Sequence, residues 1–216
     1  MKRALALFNV LVLAAACSRK PAPAAKAAPE RKPGPVALFV GDSLTAGYGV
    51  DAEDAWPTLV GAEWARRGLG WRARNAAISG ATSAGIRQEV DWALTPDVKL
   101  VFVCIGGNDG LRGVPPNETR RNVDELIQYL QTRGVRVALA GMRIPPNYGE
   151  GRAKEFAAIF PAIAKRRGVP FMAFLLDGVA GDPALNQEDG IHPNAAGHKR
   201  VAAAVLAFLD EEKLVR

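Results

Sequence analysis

Four short segments hold polar residues that turn formation alone does not explain. They are Gly41-Asp42-Ser43-Leu44-Thr45-Ala46-Gly47-Tyr48-Gly49, the stretch from Asn75 to Thr82 around Gly80, Gly106-Gly107-Asn108-Asp109-Gly110, and Asp189-Gly190-Ile191-His192-Pro193-Asn194. A serine hydroxyl is a poor nucleophile at neutral pH and needs an adjacent base to take its proton. The search for that base is short, because the chain has only 2 histidines, His192 and His198. His192 follows Asp189 in an Asp-x-x-His turn. Such a turn lets the carboxylate accept from one imidazole nitrogen while the other faces a hydroxyl, as in a Ser-His-Asp arrangement. His198 falls inside the last helical stretch and reads as a surface or packing residue. Read alone, Ser43 fits a helix N-cap as well as a nucleophile, Asp189 fits a turn cap, and Gly80 and Asn108 fit ordinary turns. Asp42 and Asp109 read as residues that brace loops.

The elements that must position these groups alternate along the chain. Val36 to Val40 is a continuous apolar run suited to a strand buried on both faces. Helical spacing follows over Trp56 to Arg67, which Gly68 ends, and a more polar strand over Trp71 to Ala77. The pattern then predicts a helix over Thr82 to Leu94, a strand over Leu100 to Ile105, a helix over Asn117 to Arg133, and a strand over Arg136 to Ala140. A helix over Ala153 to Arg167, a strand over Pro170 to Leu175 and a last helix over Ala195 to Leu214 complete the set. Five strands separated by helices imply a five-stranded parallel sheet in a three-layer α/β/α sandwich. In open sheets of this kind ligands bind beyond the carboxyl ends of the strands, which is where the four polar segments are expected to fall.

Taken together, in this order, the four blocks resemble those of the SGNH/GDSL hydrolase superfamily, and the resemblance covers residues 36–216. The run Gly106 to Gly113 and the run Ile144-Pro145-Pro146-Asn147-Tyr148-Gly149 are similar to its bacterial thioesterase, lysophospholipase and arylesterase branch. The resemblance implies a flavodoxin-like SGNH hydrolase fold with Ser43 as nucleophile, His192 as base and Asp189 as the partner of His192. It also implies an oxyanion hole formed by the backbone N–H groups of Ser43 and Gly80 and the side-chain amide of Asn108. The expected activity is two-step hydrolysis of carboxylic esters or thioesters, with acyl esters, thioesters or lysophospholipids as substrates and Met142 to Gly149 helping to form the acyl groove. Carbohydrate O-deacetylation stays open, because the superfamily shares these blocks across both substrate classes. A non-catalytic envelope lipoprotein that retains the fold is a further alternative. The G-x-S-x-G nucleophile elbow is missing, which argues against an α/β-hydrolase.

The start of the chain carries a separate message. Met1-Lys2-Arg3 followed by the apolar run Ala4 to Ala16 reads as a signal peptide over residues 1–16, too short for an ordinary membrane span. Leu13-Ala14-Ala15-Ala16-Cys17 resembles a lipobox, so Cys17 is the expected lipidation site. Ser18 after it points to an outer-membrane lipoprotein facing the periplasm. The same residues fit an ordinary cleavage site, which leaves a soluble periplasmic or secreted protein as the alternative. Residues 17–35 are rich in Pro, Ala and basic residues and read as a flexible tether. Together with the domain over residues 36–216 they make a monomer held to the membrane through lipid on Cys17.

Composition excludes other classes. The chain has 216 residues, 49% of them hydrophobic and 23% charged, enough for one domain with a full core. Its net charge of +6 is spread out, with no basic stripe interleaved with aromatics, so no nucleic-acid partner is expected. Two histidines and two separated cysteines do not suit a zinc site, nucleotide-binding signatures are missing, and no cofactor or metal is called for. Cys104, inside an apolar strand, reads as a small buried hydrophobe.

Overall fold

The computed structural model describes residues 34–216. The expected signal peptide, the lipidation site Cys17 and the tether as far as residue 33 lie outside the described residues. Five strands form one parallel sheet in the order β2-β1-β3-β4-β5. Its interior strands are β1 (Val36–Gly41), buried at every position, the central β3 (Val98–Cys104) and β4 (Arg136–Ala140). Strands covered on both faces need continuous apolar sequence, and these three have it. The edge strand β2 (Arg72–Asn75) is polar instead; Arg72 and Arg74 both bind Asp97, at 2.5 Å and 3.4 Å. Charge on an exposed edge discourages pairing with a further strand.

The α/β/α arrangement follows from which strand residues point where. Phe39 and Phe102 are register partners on β1 and β3, and their rings meet Trp56 of α2 (Trp56–Arg66) and Phe208 of α7 (Ala195–Glu211). Trp56, Trp64, Phe39 and Phe102 are all fully buried in this layer. The other layer pairs α5 (Pro116–Thr132) with α6 (Glu150–Arg167), where Phe156 and Phe160 stack edge to face at 5.5 Å. Helix α3 (Ile86–Ala93) joins α5 through a hydrogen bond from Tyr129 to Asp91, and the Arg87 guanidinium lies 4.5 Å over the Tyr129 ring. Each large side chain removed from water stabilises the fold by about 1.5–3 kcal/mol, which makes these two aromatic layers its main support.

Several boundaries differ from the sequence pattern. Strand β5 is only Phe171–Met172, although the apolar run predicts six residues. The chain turns away around Gly141, whose N–H reaches Met172 O at 2.8 Å and whose carbonyl accepts from Leu175 N at 3.3 Å. A Cβ on Gly141 would stand 2.3 Å from Ala173 O, so the wrap needs glycine. Helix α3 starts at Ile86 rather than Thr82, because Ser83 is drawn inward by Asp109. Helix α6 starts at Glu150 rather than Ala153 and runs through Pro161. Two short helices, α1 (Ser43–Ala46) and α4 (Gly107–Leu111), stand where the sequence predicts turns; neither is long enough to show a helical period.

Candidate active site

Strand β1 delivers Ser43 to the sheet's carboxyl edge through a turn with no spare room. A Cβ on Gly41 would lie 2.4 Å from Cys104 O and 2.5 Å from Thr45 Oγ1, so only glycine fits there. Asp42 is the N-cap of α1, its Oδ1 accepting from Leu44 N at 3.1 Å. The cap is therefore Asp42 and not Ser43, which leaves the Ser43 hydroxyl without a capping role. Gly47, left-handed at φ 85°, closes the helix by donating to Ser43 O at 3.2 Å. Behind the turn, Trp56 Nε1 donates to Leu44 O at 3.0 Å, and Trp56 N donates to His198 Nδ1 at 3.3 Å. His198 is thus a buried packing residue, and burial pushes its imidazole down to about 4.

Imidazole and hydroxyl, 149 positions apart in sequence, meet at 2.9 Å between His192 Nε2 and Ser43 Oγ. The other ring nitrogen, Nδ1, lies 2.7 Å from Asp189 Oδ2. Asp189 Oδ1 accepts from the backbone N–H groups of Ile191 at 2.9 Å and His192 at 3.0 Å. The His192 N–H first, then the His192 ring and the Ile191 N–H, hold the Asp189 carboxyl down to about 2. A carboxylate can only accept, so Nδ1 carries the proton and Nε2 is left to receive one from the hydroxyl. The loop bearing these groups is itself tied down. Asn186 bridges Pro193, Gln187 N donates to His192 O at 2.8 Å, and Asn194 caps α7 through Ala196 N and Gly197 N at 3.0 Å each. Gln187 Nε2 also donates to Tyr48 O at 2.7 Å, stapling the histidine loop to the serine loop. The Tyr48 ring packs 4.7 Å from the imidazole.

The third block places Asn108 on the first turn of α4, after Gly106 in a positive-φ conformation (118°). Its Nδ2 donates one hydrogen to Ala81 O at 2.9 Å, and the amide's second hydrogen is not engaged among the described residues. That bond ties Asn108 to the neighbour of Gly80, which adopts φ 83°. Gly80 does not itself line the cleft beside Ser43; Ile78 N, donating to Gly41 O at 3.0 Å, and Ala81 hold its loop next to the serine turn. The N–H groups of Ser43 and Gly80 have no protein acceptor among the described residues.

Both loop-bracing aspartates do as their positions predict, by different means. Asp109 accepts from Ser83 N at 2.9 Å, from the Ser83 hydroxyl, and from Thr119 Oγ1 at 3.4 Å, while Asn122 Nδ2 supports Ser83 Oγ at 3.0 Å. Asp42 is 1% exposed, and its Oδ2 has no hydrogen-bond partner among the described residues. Burial pushes its carboxyl up to about 6, against the pull of the Leu44 N–H and of His192. Sequence reasoning did not find Ser83, Asn122 or Gln187, which belong to no block, and gave Tyr48 of the first block no role. Nothing local marks them, because each works through a partner on a different element.

Beside Ser43 opens a cleft of about 520 Å³, with His192 and Asn108 in its wall. The rest of that wall is mostly apolar, including Leu44, Leu111, Met142, Ile144, Phe174 and Leu176. Met142 to Pro146 thus lie where the resemblance puts an acyl groove. Among the described residues no group of three or more His, Cys, Asp or Glu is placed to hold a metal ion. Buried Cys104 has its thiol pushed well up by desolvation, so it is inert packing. An oriented imidazole on a hydroxyl, unoccupied N–H donors nearby and an apolar cleft together suit acyl transfer.

Known proteins share this layout. The model of the GDSL-like Lipase/Acylhydrolase family matches residues 39–200. Esterase TesA of Pseudomonas aeruginosa is 37% identical over 165 residues, covering 76% of this chain and 82% of that protein. Thioesterase 1/protease 1/lysophospholipase L1 of Escherichia coli is 37% identical over 158 residues, 73% of this chain and 74% of that one. The crystal structure of the psychrotrophic esterase EstA from Pseudoalteromonas sp., inhibited by monoethylphosphonate, superposes with a TM-score of 0.79 at 30% identity, over 83% of this chain and 98% of its own. With sequence relatives and fold in agreement, the chain belongs to the GDSL-like lipase/acylhydrolase family and is a serine hydrolase of ester bonds.

Proposed function

We propose that Ser43 is the nucleophile of this hydrolase, His192 its general base and acid, and Asp189 the group that orients His192. The observation that carries this reading is the 2.9 Å approach of His192 Nε2 to Ser43 Oγ, with Asp189 on the opposite ring nitrogen. Ser43 Oγ bonds to the acyl carbon as its proton passes to Nε2. The tetrahedral oxyanion is held by the N–H groups of Ser43 and Gly80 and by the free amide hydrogen of Asn108. Collapse breaks the bond to the leaving group, which takes the proton from His192. Water then gives a proton to His192, attacks the acyl-enzyme and releases the acid, and Ser43 regains its proton. Asp189 stays ionised throughout and stabilises the imidazolium.

The substrate class that fits best is an acyl ester, thioester or lysophospholipid. The cleft wall offers an aliphatic chain apolar contacts and offers a sugar few hydrogen-bonding groups. The relatives' names, esterase and thioesterase/lysophospholipase, agree with this reading. The positive start, apolar run and Cys17 further support export to the periplasm, lipidation at Cys17, and a tether ahead of a monomeric hydrolase domain over residues 36–216. Mass spectrometry of the mature N-terminus tests the anchor: an acylated Cys17 fits, and an unmodified one contradicts it. Hydrolysis of p-nitrophenyl esters of increasing chain length tests the enzyme. Activity that rises beyond acetyl and vanishes in Ser43→Ala is expected; activity retained by that variant overturns the assignment.

A further inference from the structure

We infer that Arg143 makes this hydrolase prefer esters bearing an anionic group, a carboxylate, phosphate or sulfonate carried on the acyl part or on the leaving group. The inference rests on the Ser43 reading and adds to it what the cleft selects. Among the described residues, Arg143 is the one lysine or arginine in the wall of the cleft that holds Ser43, Asn108 and His192. Its place follows from the wrap at Gly141, which sets Met142, Arg143 and Ile144 opposite the end of β5. There the guanidinium lies 4.6 Å from the centre of the Phe174 ring, and Phe174 lines the same cleft. An arginine laid over an aromatic face is held by that contact with its N–H edge left outward.

Six arginines elsewhere are spent on ion pairs, and of the arginines that are not, Arg143 is the one that lines this cleft among the described residues. Arg66 and Arg67 bind Glu63, Arg72 and Arg74 bind Asp97, and Arg166 and Arg167 bind Asp124. Arg143 forms no ion pair and donates no hydrogen bond among the described residues. The acids of the site do not answer it: Asp42, in the cleft wall, is buried beneath the serine turn, and Asp189, outside that wall, is taken by His192. A pocket that is apolar except for a few polar groups uses those groups to orient its ligand. An unpaired, pre-oriented guanidinium fork is suited to an oxyanion, which it binds through two parallel charge-assisted hydrogen bonds.

The test uses three matched substrates with the full chain and with Arg143→Met, which keeps a long apolar side chain on Phe174 but removes the charge. They are p-nitrophenyl pentanoate, which is neutral; p-nitrophenyl hemiglutarate, with a carboxylate on the acyl end; and the pentanoyl ester of a nitrophenolsulfonate, with the anion on the leaving group. Loss of a hydrogen-bonded charge partner predicts a fall in kcat/KM on an anionic ester, mainly through KM, about tenfold or more greater than any fall on the neutral one. Arg143→Lys should recover part of the loss, and added salt should shrink the wild-type preference. A fall confined to hemiglutarate puts the anion on the acyl part, a fall confined to the sulfonate puts it on the leaving group, and a fall on both admits either. Equal change on all three esters, or none on any, overturns the inference. In that case Ser43-dependent hydrolysis of the neutral ester leaves the catalytic reading standing, whereas failure of the wild type on every ester removes both.

Discussion

Ser43 stands on a turn whose neighbours are inside the core, whereas His192 and Asp189 stand on a surface loop. Asp42, Thr45 and Trp56 around the serine are 1% exposed or less. The Asp189 side chain is 40% exposed and that of His192 is 18% exposed. One half of the site is fixed by packing: Gly41 against Cys104 O, Trp56 on Leu44 O, His198 behind Trp56. The other half is fixed by hydrogen bonds, with Gln187 and Asn194 holding a loop that has few apolar contacts of its own. A rigid serine turn and a stapled histidine loop respond differently to damage. Substitution of the residues packed around Ser43 falls on stability as well as activity; substitution in the second region falls mostly on activity.

The largest effect should come from either end of the key contact. Ser43→Ala and His192→Ala should each lower kcat by about 10⁶-fold, and the double variant should be little worse than either, because residues acting as a unit are not additive. Their thermal midpoints should stay close to the wild type, since neither side chain carries the core. Additive losses in the double variant would show that the two do not act together. Asp189→Asn should cost less, about 10³-fold in kcat, because a half-exposed carboxylate contributes less than the ~10⁴ of a buried one. A loss as large as that of His192→Ala would erase the contrast between the two regions.

Asp42 sharpens the comparison through stability. Its carboxyl is raised from 3.8 to about 6 by burial, so the folded chain holds this proton more tightly than the unfolded chain does. The stabilisation is fully present below about pH 4 and is lost as pH rises through 6. Asp42→Asn keeps an oxygen for Leu44 N and never ionises. Urea unfolding of the wild type should therefore weaken relative to this variant by about 3 kcal/mol between pH 4 and pH 7. A difference that stays flat with pH would mean the carboxyl is better solvated than its burial implies. Asp189, held down to about 2, should give no such change over the same range. The smallest effect belongs to Gln187→Ala, which cuts the staple to Tyr48 O. It should lower kcat about tenfold by loosening the histidine loop, with stability reduced by about 1 kcal/mol. An unchanged kcat would show that Asn194 and the Asn186–Pro193 bridge suffice.

Much of this was legible in the sequence because the chemistry is written in short, local blocks. Asp189 and His192 find each other through a three-residue turn, and only two histidines compete for the role. The strands β1, β3 and β4 announced themselves as continuous apolar runs, since burial on both faces leaves no room for alternation. What stayed hidden depends on partners far apart in the chain. Ser83, Asn122 and Asp109 form one network from three elements, and Gln187 reaches Tyr48 across 139 positions. Helices α1 and α4 span too little chain to show a period, and β5 is shorter than its apolar run because Phe174 serves the cleft wall rather than the sheet.

The central claim is that His192 activates Ser43 for attack on an acyl centre, and a fluorophosphonate reports that step without any choice of ester. Incubation of the full chain followed by peptide mass spectrometry should place one phosphonyl group on the peptide containing Ser43. His192→Ala should label far more slowly, and Ser43→Ala not at all. Labelling at another residue, or an unlabelled protein that still hydrolyses esters, would contradict the account.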